Sequence, residues 1–223
     1  TGYTATTTGV LTIDNSSTGL MSLVGGTLAA QGNIVWDATT ARGTSSNLLL
    51  VSGSAEQALT VSGATRTSGG FTIININKSA GPFTIADGTT IRTGYNWTFT
   101  SIGSGSLVTT GSTIVFAGYN PTITGSHTLT NVIFDNNSGS DYDFYLTVGS
   151  TLTISGTLTV DNSSVGINAL RNGSIIAQGN VVWDISNFSV SSLANTNLLL
   201  TGSTNQTLTL TSGSTTSGAF AST

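Results

Sequence analysis

The chain has 223 residues and a formal net charge of −4, and only 6% of its residues are charged. Five Lys and Arg residues cannot form the basic surface that neutralises phosphates, so the composition argues against a nucleic-acid partner. Cysteine is absent, which excludes disulfides and thiolate metal sites, and no apolar run is long enough to predict a membrane-spanning segment.

The segment 1–74 predicts short β-strands and no helix. Gly, Thr, Ser and Asn are frequent here, and all four are poor residues for the interior of a helix. Apolar and hydroxyl residues alternate instead, as in "QALTVSG" from Gln57, which gives a strand one apolar and one hydroxyl face. Strands are predicted to open at Leu28, Leu48 and Phe71, at intervals of 20 and 23 positions. This spacing indicates a repeating turn.

The next segment continues the same spacing, with strands predicted to open at Phe83, Leu107 and Leu129, at intervals of 24 and 22 positions. It also contains the only histidine, His127. One His without a Cys, a second His or a nearby Asp forms neither a zinc site nor a catalytic triad. We therefore interpret His127 as a turn residue before the strand "TLTNVIF".

The most polar stretch of the chain is "DNNSGSDYDFYLTVG", residues 135–149. Its acidic residues Asp135, Asp141 and Asp143 are weak candidates for calcium ligands. Calcium takes six to eight oxygen ligands, and loop carboxylates six to eight residues apart can supply some of them. The glycine-spaced pattern of a calcium-binding loop is missing, so we favour a solvated loop and expect no metal or cofactor.

The remainder of the chain repeats its beginning. The octet "AQGNIVWD", residues 30–37, returns as "AQGNVVWD", residues 177–184, and the longer segments 14–37 and 161–184 share 14 identities. Downstream, "NLLLVSGS" at Asn47 matches "NLLLTGST" at Asn197, 150 positions later, whereas "TSGGF" and "TSGAF" lie 149 apart. We therefore divide the chain into a first long repeat, 1–147, and a partial second copy, 148–223, continuous with it.

Strand spacing and repeat length together predict an all-β fold. A period of 147 residues contains about six turns of roughly 20–26 residues, the length of a turn in a β-solenoid. Stacked turns pair strand on strand at about 4.8 Å and bury a continuous apolar column that one turn cannot bury alone. We expect a right-handed parallel β-helix. The alternative is an array of antiparallel β-sandwich domains, which the strand spacing also allows.

Two segments carry a family resemblance. The stretches "GSTIVFAGYNPTITGSHTLTNVIFDNNSG" and "LTVGSTLTISGTLTVDNSS" resemble the β-strand-rich tandem repeats of bacterial and archaeal surface proteins of the adhesin-like, β-helical type, as does "GTLTV…GSIIAQGNVVW". The resemblance covers most of the chain through loose, compositional motifs. It implies an extracellular, surface-attached and largely structural protein, and it carries over no catalytic residue.

The candidate site residues do not predict an enzyme. A glycosidase needs two carboxylates that flank one bond, but the repeat equivalents Asp14 and Asp161 are expected some six turns, or about 29 Å, apart, as are Asp37 and Asp184. Both pairs are interpreted as turn residues at equivalent places. Trp36 and Trp183 are also repeat equivalents, and their alternation with Ile34 and Val181 predicts that they pack inward at equivalent strand ends.

These observations favour a structural repeat protein of a surface fibre, sheath, stalk or adhesin. We expect it to associate with itself head-to-tail by β-stacking, because neither end of the chain has the polar sequence of a capping segment. The alternative is a binding module for surface glycans or, less favoured, for ice. Ice binding requires an even array of T-x-T pairs, and the strands "NLLL" and "SIIAQ" interrupt that array.

Overall fold

The structure, a computed structural model of the 223-residue chain, is a parallel β-solenoid. Every strand pair in the described part of the chain is parallel, and each strand pairs with a strand one turn before it, one turn after it, or both. The predicted all-β solenoid is therefore confirmed. The alternative of antiparallel sandwich domains is wrong, because strands consecutive in sequence do not pair with each other as hairpins. The described residues are 2–14, 21–22, 24–37, 41–42, 46–62, 71–118, 120–135, 142–161, 167–184 and 193–211.

The described residues form short strands of two to six residues, separated by corners rich in Gly, Ser and Asn. In chain order the strands are β1 (Thr4–Thr7), β2 (Leu11–Ile13), β3 (Met21–Ser22), β4 (Gly26–Ala30), β5 (Ile34–Asp37), β6 (Ala41–Arg42), β7 (Asn47–Val51), β8 (Gln57–Ser62), β9 (Ile73–Asn77), β10 (Phe83–Ile85), β11 (Thr90–Thr93), β12 (Trp97–Ser101), β13 (Leu107–Val108), β14 (Thr113–Ala117), β15 (Thr122–Thr124), β16 (His127–Leu129), β17 (Asn131–Asp135), β18 (Tyr142–Leu146), β19 (Thr151–Ile154), β20 (Leu158–Asp161), β21 (Ile167–Arg171), β22 (Ser174–Ala177), β23 (Val181–Asp184), β24 (Leu193–Ala194), β25 (Asn197–Leu200) and β26 (Leu208–Thr211).

Each turn of the coil contributes to three sides. Side one is a nine-stranded sheet in the order β1-β4-β7-β9-β12-β15-β18-β21-β24. Side two consists of the sheet β2-β5-β8-β10-β13 and then the sheet β16-β19-β22-β25, with β13 and β16 in contact but not joined by a ladder. Side three begins with the pair β3-β6 and continues as β11-β14-β17-β20-β23-β26. Phe71 bridges to Thr93 at the end of β11 and so belongs to side three.

The length of one turn can be read from the register of side one. Paired residues are 23 positions apart for Thr4 and Thr27, 21 for Gly26 and Asn47, and 26 for Trp97 and Ile123. The predicted range of turn lengths is therefore confirmed on this side. On side three, Thr113 and Asn131 are only 18 apart, because the connections in this turn are short: residues 125–126 separate β15 from β16, and Thr130 alone separates β16 from β17.

The core is a column of side chains that point inward from all three sides. On side one, Leu49, Ile74, Trp97 and Ile123 follow one another in register, and each is fully buried. Outward positions between them hold Thr, Asn and other half-buried residues, because successive side chains of a strand point to opposite faces. Burial of this continuous column is the main source of stability for a chain with so few charges.

The sequence repeat does not coincide with a whole number of turns. Strand β4 contains Ala30, and six steps along side one lead from β4 to β21. The repeat equivalent of Ala30 is Ala177, which lies in the next strand, β22, on side two. In the same way β5 of side two is equivalent to β23 of side three. The repeat thus advances the chain by six turns and one further side.

Candidate functional site

The repeated octet forms a corner that is closed by the glutamine of the following turn. Nε2 of Gln57 donates to the carbonyl oxygens of Ala30 at 3.0 Å and Gly32 at 2.8 Å. Oδ1 of Asn33 accepts a hydrogen bond of 2.9 Å from the backbone N–H of Ala58. These side-chain bonds add to the backbone bonds of the corner, where Ser52 N also donates to Ala30 O at 2.8 Å.

The second copy builds the same corner on another side of the coil. Nε2 of Gln206 donates to Ala177 O at 2.9 Å and Gly179 O at 2.7 Å, and Asn180 Oδ1 accepts from Thr207 N at 2.9 Å. The recurrence of these bonds explains why the chain contains the octet twice. Its Ala, Gly and Asn residues supply the acceptors that join the corner to the following turn in both copies.

The predicted equivalence of the two copies extends to the strands beside the corner. Trp36 and Trp183 are each the third residue of their strand, and both are fully buried. The inward packing predicted for them is thus confirmed. Asp14 directly follows β2 and Asp161 ends β20, so these two residues also occupy equivalent places.

The structural alignment of the two "NLLL" segments differs by one residue from the alignment of their identical letters. Val51 pairs with Ala30, whereas Leu200 pairs with Ala177, so Val51 and Leu200 are structural equivalents 149 positions apart. The expected spacing of 150 is wrong here. Because a one-residue shift moves every side chain of a strand to the other face, Leu49 is equivalent to Leu198 and not to Leu199.

The turn formed by β25 and β26, residues 197–211, carries inward-facing leucines that remain accessible; we call it the outer turn. Leu200, Leu208 and Leu210 are 48%, 43% and 49% exposed. They lie in register with the buried residues Ala177, Val181 and Trp183 on one side. Their other side faces away from the coil, and no described strand pairs with β25 or β26 there.

The equivalent turn of the first copy, residues 48–62, is covered. Its residues Val51, Leu59 and Val61 are 0%, 0% and 9% exposed. Residues 71–85, which contain β9 and β10, cover it, and we call them the covering segment. Within this segment, Ile76 pairs with Val51 and Ile85 pairs with Leu59.

Two further residues of the covering segment fix its position. The ring of Phe71 packs on Trp36, with ring centroids 4.6 Å apart. Lys78 is buried, and its Nζ donates to Ala55 O at 2.8 Å and to Gln57 Oε1. Burial lowers the pKa of this ammonium group. In the outer turn, Gln206 Oε1 accepts instead from Gly202 N at 2.8 Å.

The calcium candidates lie on different sides and are bound to arginines. Asp135 Oδ2 accepts from Arg92 Nη1 at 2.6 Å on side three. Asp143 Oδ2 on side one accepts from Arg171 Nε at 2.6 Å and from the Tyr145 hydroxyl at 2.9 Å. The hydrogen bond to Asp143 raises the pKa of Tyr145. Asp141 lies outside the described residues, among which no group of three or more His, Cys, Asp and Glu side chains could hold a metal ion.

Sequence reasoning missed a column of aspartates. Asp135 pairs with Asp161, and Asp184 follows Trp183, the partner of Val160, so the three aspartates end adjacent strands of side three. Asp14 and Asp37 likewise follow the paired residues Ile13 and Trp36. Repeat equivalents lie about six turns apart, whereas neighbours in a solenoid are one turn apart. Aspartates one turn apart in the sequence, such as Asp135 and Asp161, could therefore have revealed this column.

His127 is not a turn residue, as the sequence suggested, but the first residue of β16. Its ring is stacked on Phe99 with centroids 5.3 Å apart, and Nδ1 donates to Gly125 O at 2.9 Å. Nε2 is buried and has no hydrogen-bond partner among the described residues. Burial lowers the pKa of His127 to about 4, although the hydrogen bond to Gly125 acts in the opposite direction.

A glycan-binding surface would need exposed aromatic rings for stacking against sugars. Trp36, Trp97 and Trp183 are all fully buried, and Tyr3 is the most exposed aromatic residue of the described ranges, at 89%. Glycan binding therefore stays a prediction, and a glycan array is the measurement that checks it.

Fold and corners define the chain as a parallel β-solenoid with an internal tandem repeat. It matches no protein-family model, no curated protein and no solved structure. No helix of the described ranges is long and apolar enough to cross a membrane.

Proposed function

We propose that the protein is a structural extracellular repeat protein that associates with itself by adding a strand-bearing turn to its outer turn, as part of a surface fibre, sheath, stalk or adhesin. The observation that carries the proposal is the recurrence of one solenoid unit within the chain, in which the corner bonds of Gln57 to Ala30 and Gly32 return as those of Gln206 to Ala177 and Gly179. The extracellular, surface-attached location is supported by the resemblance to surface repeat proteins.

The chemistry of the outer turn supports strand addition. Burial of each half-exposed leucine contributes on the order of 1 kcal/mol, and each new ladder hydrogen bond contributes about 1 kcal/mol. Association itself costs at least about 4 kcal/mol. The three leucines and several ladder bonds together exceed this lower cost, so strand addition here is favourable.

A second copy can supply the added turn through its other end. In the described residues β1 pairs only with β4, and β2 pairs only with β5, so both strands have a second edge free of ladder bonds. Contact between this edge and the outer turn joins two different surfaces. A contact of that kind repeats from molecule to molecule and produces a filament unless a rotation closes it into a ring.

Sedimentation velocity from about 1 to 100 µM, with electron microscopy of the same samples, tests the proposal. We expect the mass to rise with concentration and filaments to form. The double variant Leu208→Lys/Leu210→Lys should remain monomeric because two ammonium groups cannot be buried there. The control is Val148→Lys, which changes a residue 80% exposed and away from the outer turn. A monomer at every concentration, or equal association of both variants, contradicts the proposal.

A further inference from the structure

A break in the ladders leaves two neighbouring turns loosely joined in the middle of the chain. On side two, β13 and β16 are in contact but no ladder joins them. On side one, the ladder between β12 and β15 has only two residue pairs, whereas the ladder between β14 and β17 on side three has five. Because ladder bonds hold successive turns together, these two turns are joined firmly along side three and weakly elsewhere. We call the interface between β13 and β16 the seam.

His127 lies at the seam, next to the corner between sides one and two. Its side chain is turned inward, it is 8% exposed, and it pairs with Leu152 of the following turn. Its ring stacks on Phe99 of the preceding turn. Nδ1 bonds to Gly125 O, and Nε2 is buried without a hydrogen-bond partner among the described residues. The corner between sides one and two is opposite side three, so the stack lies where the two turns are held least.

A protonated ring would meet no opposite charge at the seam. Strands β12, β13 and β19, which pack around β16, contain no titratable side chain, and residues 93–134 contain no Asp, Glu, Lys or Arg. Besides His127, the titratable residues of this range are Tyr95 and Tyr119, which are neutral near and below pH 7. A buried charge without a counter-charge is costly, and contact with water removes that cost.

We infer that the seam is an acid-operated hinge: protonation of His127 parts the two turns at the corner between sides one and two, while the ladder between β14 and β17 stays closed. The inference is independent of the proposed function. Opening exposes the imidazolium to water and breaks only the stack on Phe99, the seam contacts and the two-pair ladder of side one.

The direction of the pH effect follows from burial of the ring. Burial lowers the pKa of His127 from 6.5 to about 4 in the closed coil, and the solvated ring of the open coil regains the ordinary value. The closed form therefore loses stability relative to the open form as the pH falls from 6.5 to 4, and the pH has no such effect above 6.5.

Amide hydrogen exchange of the full chain, followed by mass spectrometry at pH 8 and pH 5, tests the hinge. The matched control is His127→Phe, which keeps a ring on Phe99 but binds no proton. The ratio of exchange rates, wild type over control, cancels the intrinsic effect of pH on exchange. For residues 120–129 this ratio should rise about 30-fold from pH 8 to pH 5, as the two pKa values require. For residues 48–62, in a distant turn, it should not change.

A disulfide across side one gives an independent test, because the chain has no native cysteine. Thr98 and Thr124 are paired residues of β12 and β15, and neighbouring strands lie about 4.8 Å apart, within the range that a disulfide spans. Oxidised Thr98→Cys/Thr124→Cys should lose the acid-induced exchange at residues 120–129 and regain it on reduction.

Three results would overturn the inference. The first is a ratio at residues 120–129 that does not change with pH, and the second is an equal rise at residues 48–62, which would mean that the whole coil opens. The third is acid-induced exchange that persists in the oxidised cysteine pair. His127→Gln provides the same comparison if His127→Phe fails to fold, and the first two results decide the matter even if the disulfide does not form.

Discussion

Glycine is required at the repeated corner because successive turns approach each other closely there. A Cβ atom at Gly179 would lie 2.0 Å from the carbonyl oxygen of Gly156, and one at Gly32 would lie 2.2 Å from Gly9 O. The colliding atoms belong to the backbone of a ladder-bonded turn, so they cannot move aside as the end of a flexible side chain can.

We therefore predict that Gly179→Ala lowers the free energy of unfolding by about 2–4 kcal/mol. Urea denaturation followed by far-UV circular dichroism measures the change. Gly9→Ala is the matched control, because a Cβ at Gly9 meets no atom within 4 Å. If the two variants are equally stable, the close approach of the turns is not the reason for glycine at the corner.

The buried histidine predicts acid sensitivity. Because the pKa of His127 is lowered from 6.5 to about 4, the unfolded chain binds a proton more readily than the folded protein does. The folded state therefore loses stability as the pH falls from 6.5 to 4, and no such loss occurs above pH 6.5. The difference in pKa corresponds to a loss of about 3 kcal/mol.

His127→Gln removes the titrating group, so the stability of this variant should fall less than that of the wild type between pH 7 and 4. Since carboxylates titrate in both proteins, the informative quantity is the difference between the two unfolding free energies at each pH. A difference that does not change with pH would show that His127 accepts a proton equally well in both states.

At the scale of single strands, the sequence does not show which of the three leucines in β7 point inward, whereas the structure does. Leu49 is fully buried, whereas its neighbour Leu48 points outward and is half-buried. We predict that Leu49→Ala costs about 3 kcal/mol and Leu48→Ala less than about 1 kcal/mol. Thermal unfolding of the two variants checks the register, and a reversed order of their melting temperatures would mean that the strand is shifted by one residue.

The inward face of a strand can be predicted from the sequence only where apolar and polar residues alternate. "QALTVSG" alternates, and its residues Leu59 and Val61 are inward as expected. "NLLLV" has no alternation, so its identical letters aligned at the wrong offset and the inward face could not be chosen. His127 was misplaced for a related reason, since a polar residue beside glycine and serine resembles a turn residue until Phe99 of the preceding turn is known to stack on it.

At the scale of the whole molecule, the sequence predicted the solenoid, its turn length and about six turns per repeat, but not the additional side. The spacing of paired positions varies from 18 for Thr113 and Asn131 to 27 for Val181 and Leu208. The period of the sequence repeat is therefore compatible with six turns or with slightly more. Only the pairing of strands shows to which sheet each copy belongs. Contacts such as Arg92 with Asp135, which are 43 positions apart, depend on this pairing.

The position of the second copy can be measured with pairs of spin labels, because the chain has no native cysteine. Thr12 in β2 and Thr153 in β19 both lie on side two, whereas Thr159, the repeat equivalent of Thr12, lies in β20 on side three. We predict about 29 Å, six rises of about 4.8 Å, for labels at Thr12→Cys and Thr153→Cys. The pair Thr12→Cys and Thr159→Cys should be longer. If the second distance is the shorter one, the repeat is a whole number of turns.

The advance of six turns and one side per repeat gives this unit a screw symmetry. In any tandem array of the unit, equivalent corners would rotate by one side at each repeat and return to the starting azimuth after three. Features such as the aspartates at strand ends would then wind around the axis as a helical stripe. A fibre built in this way has no distinct front and back, so it presents the same chemistry to its surroundings in every direction perpendicular to its length.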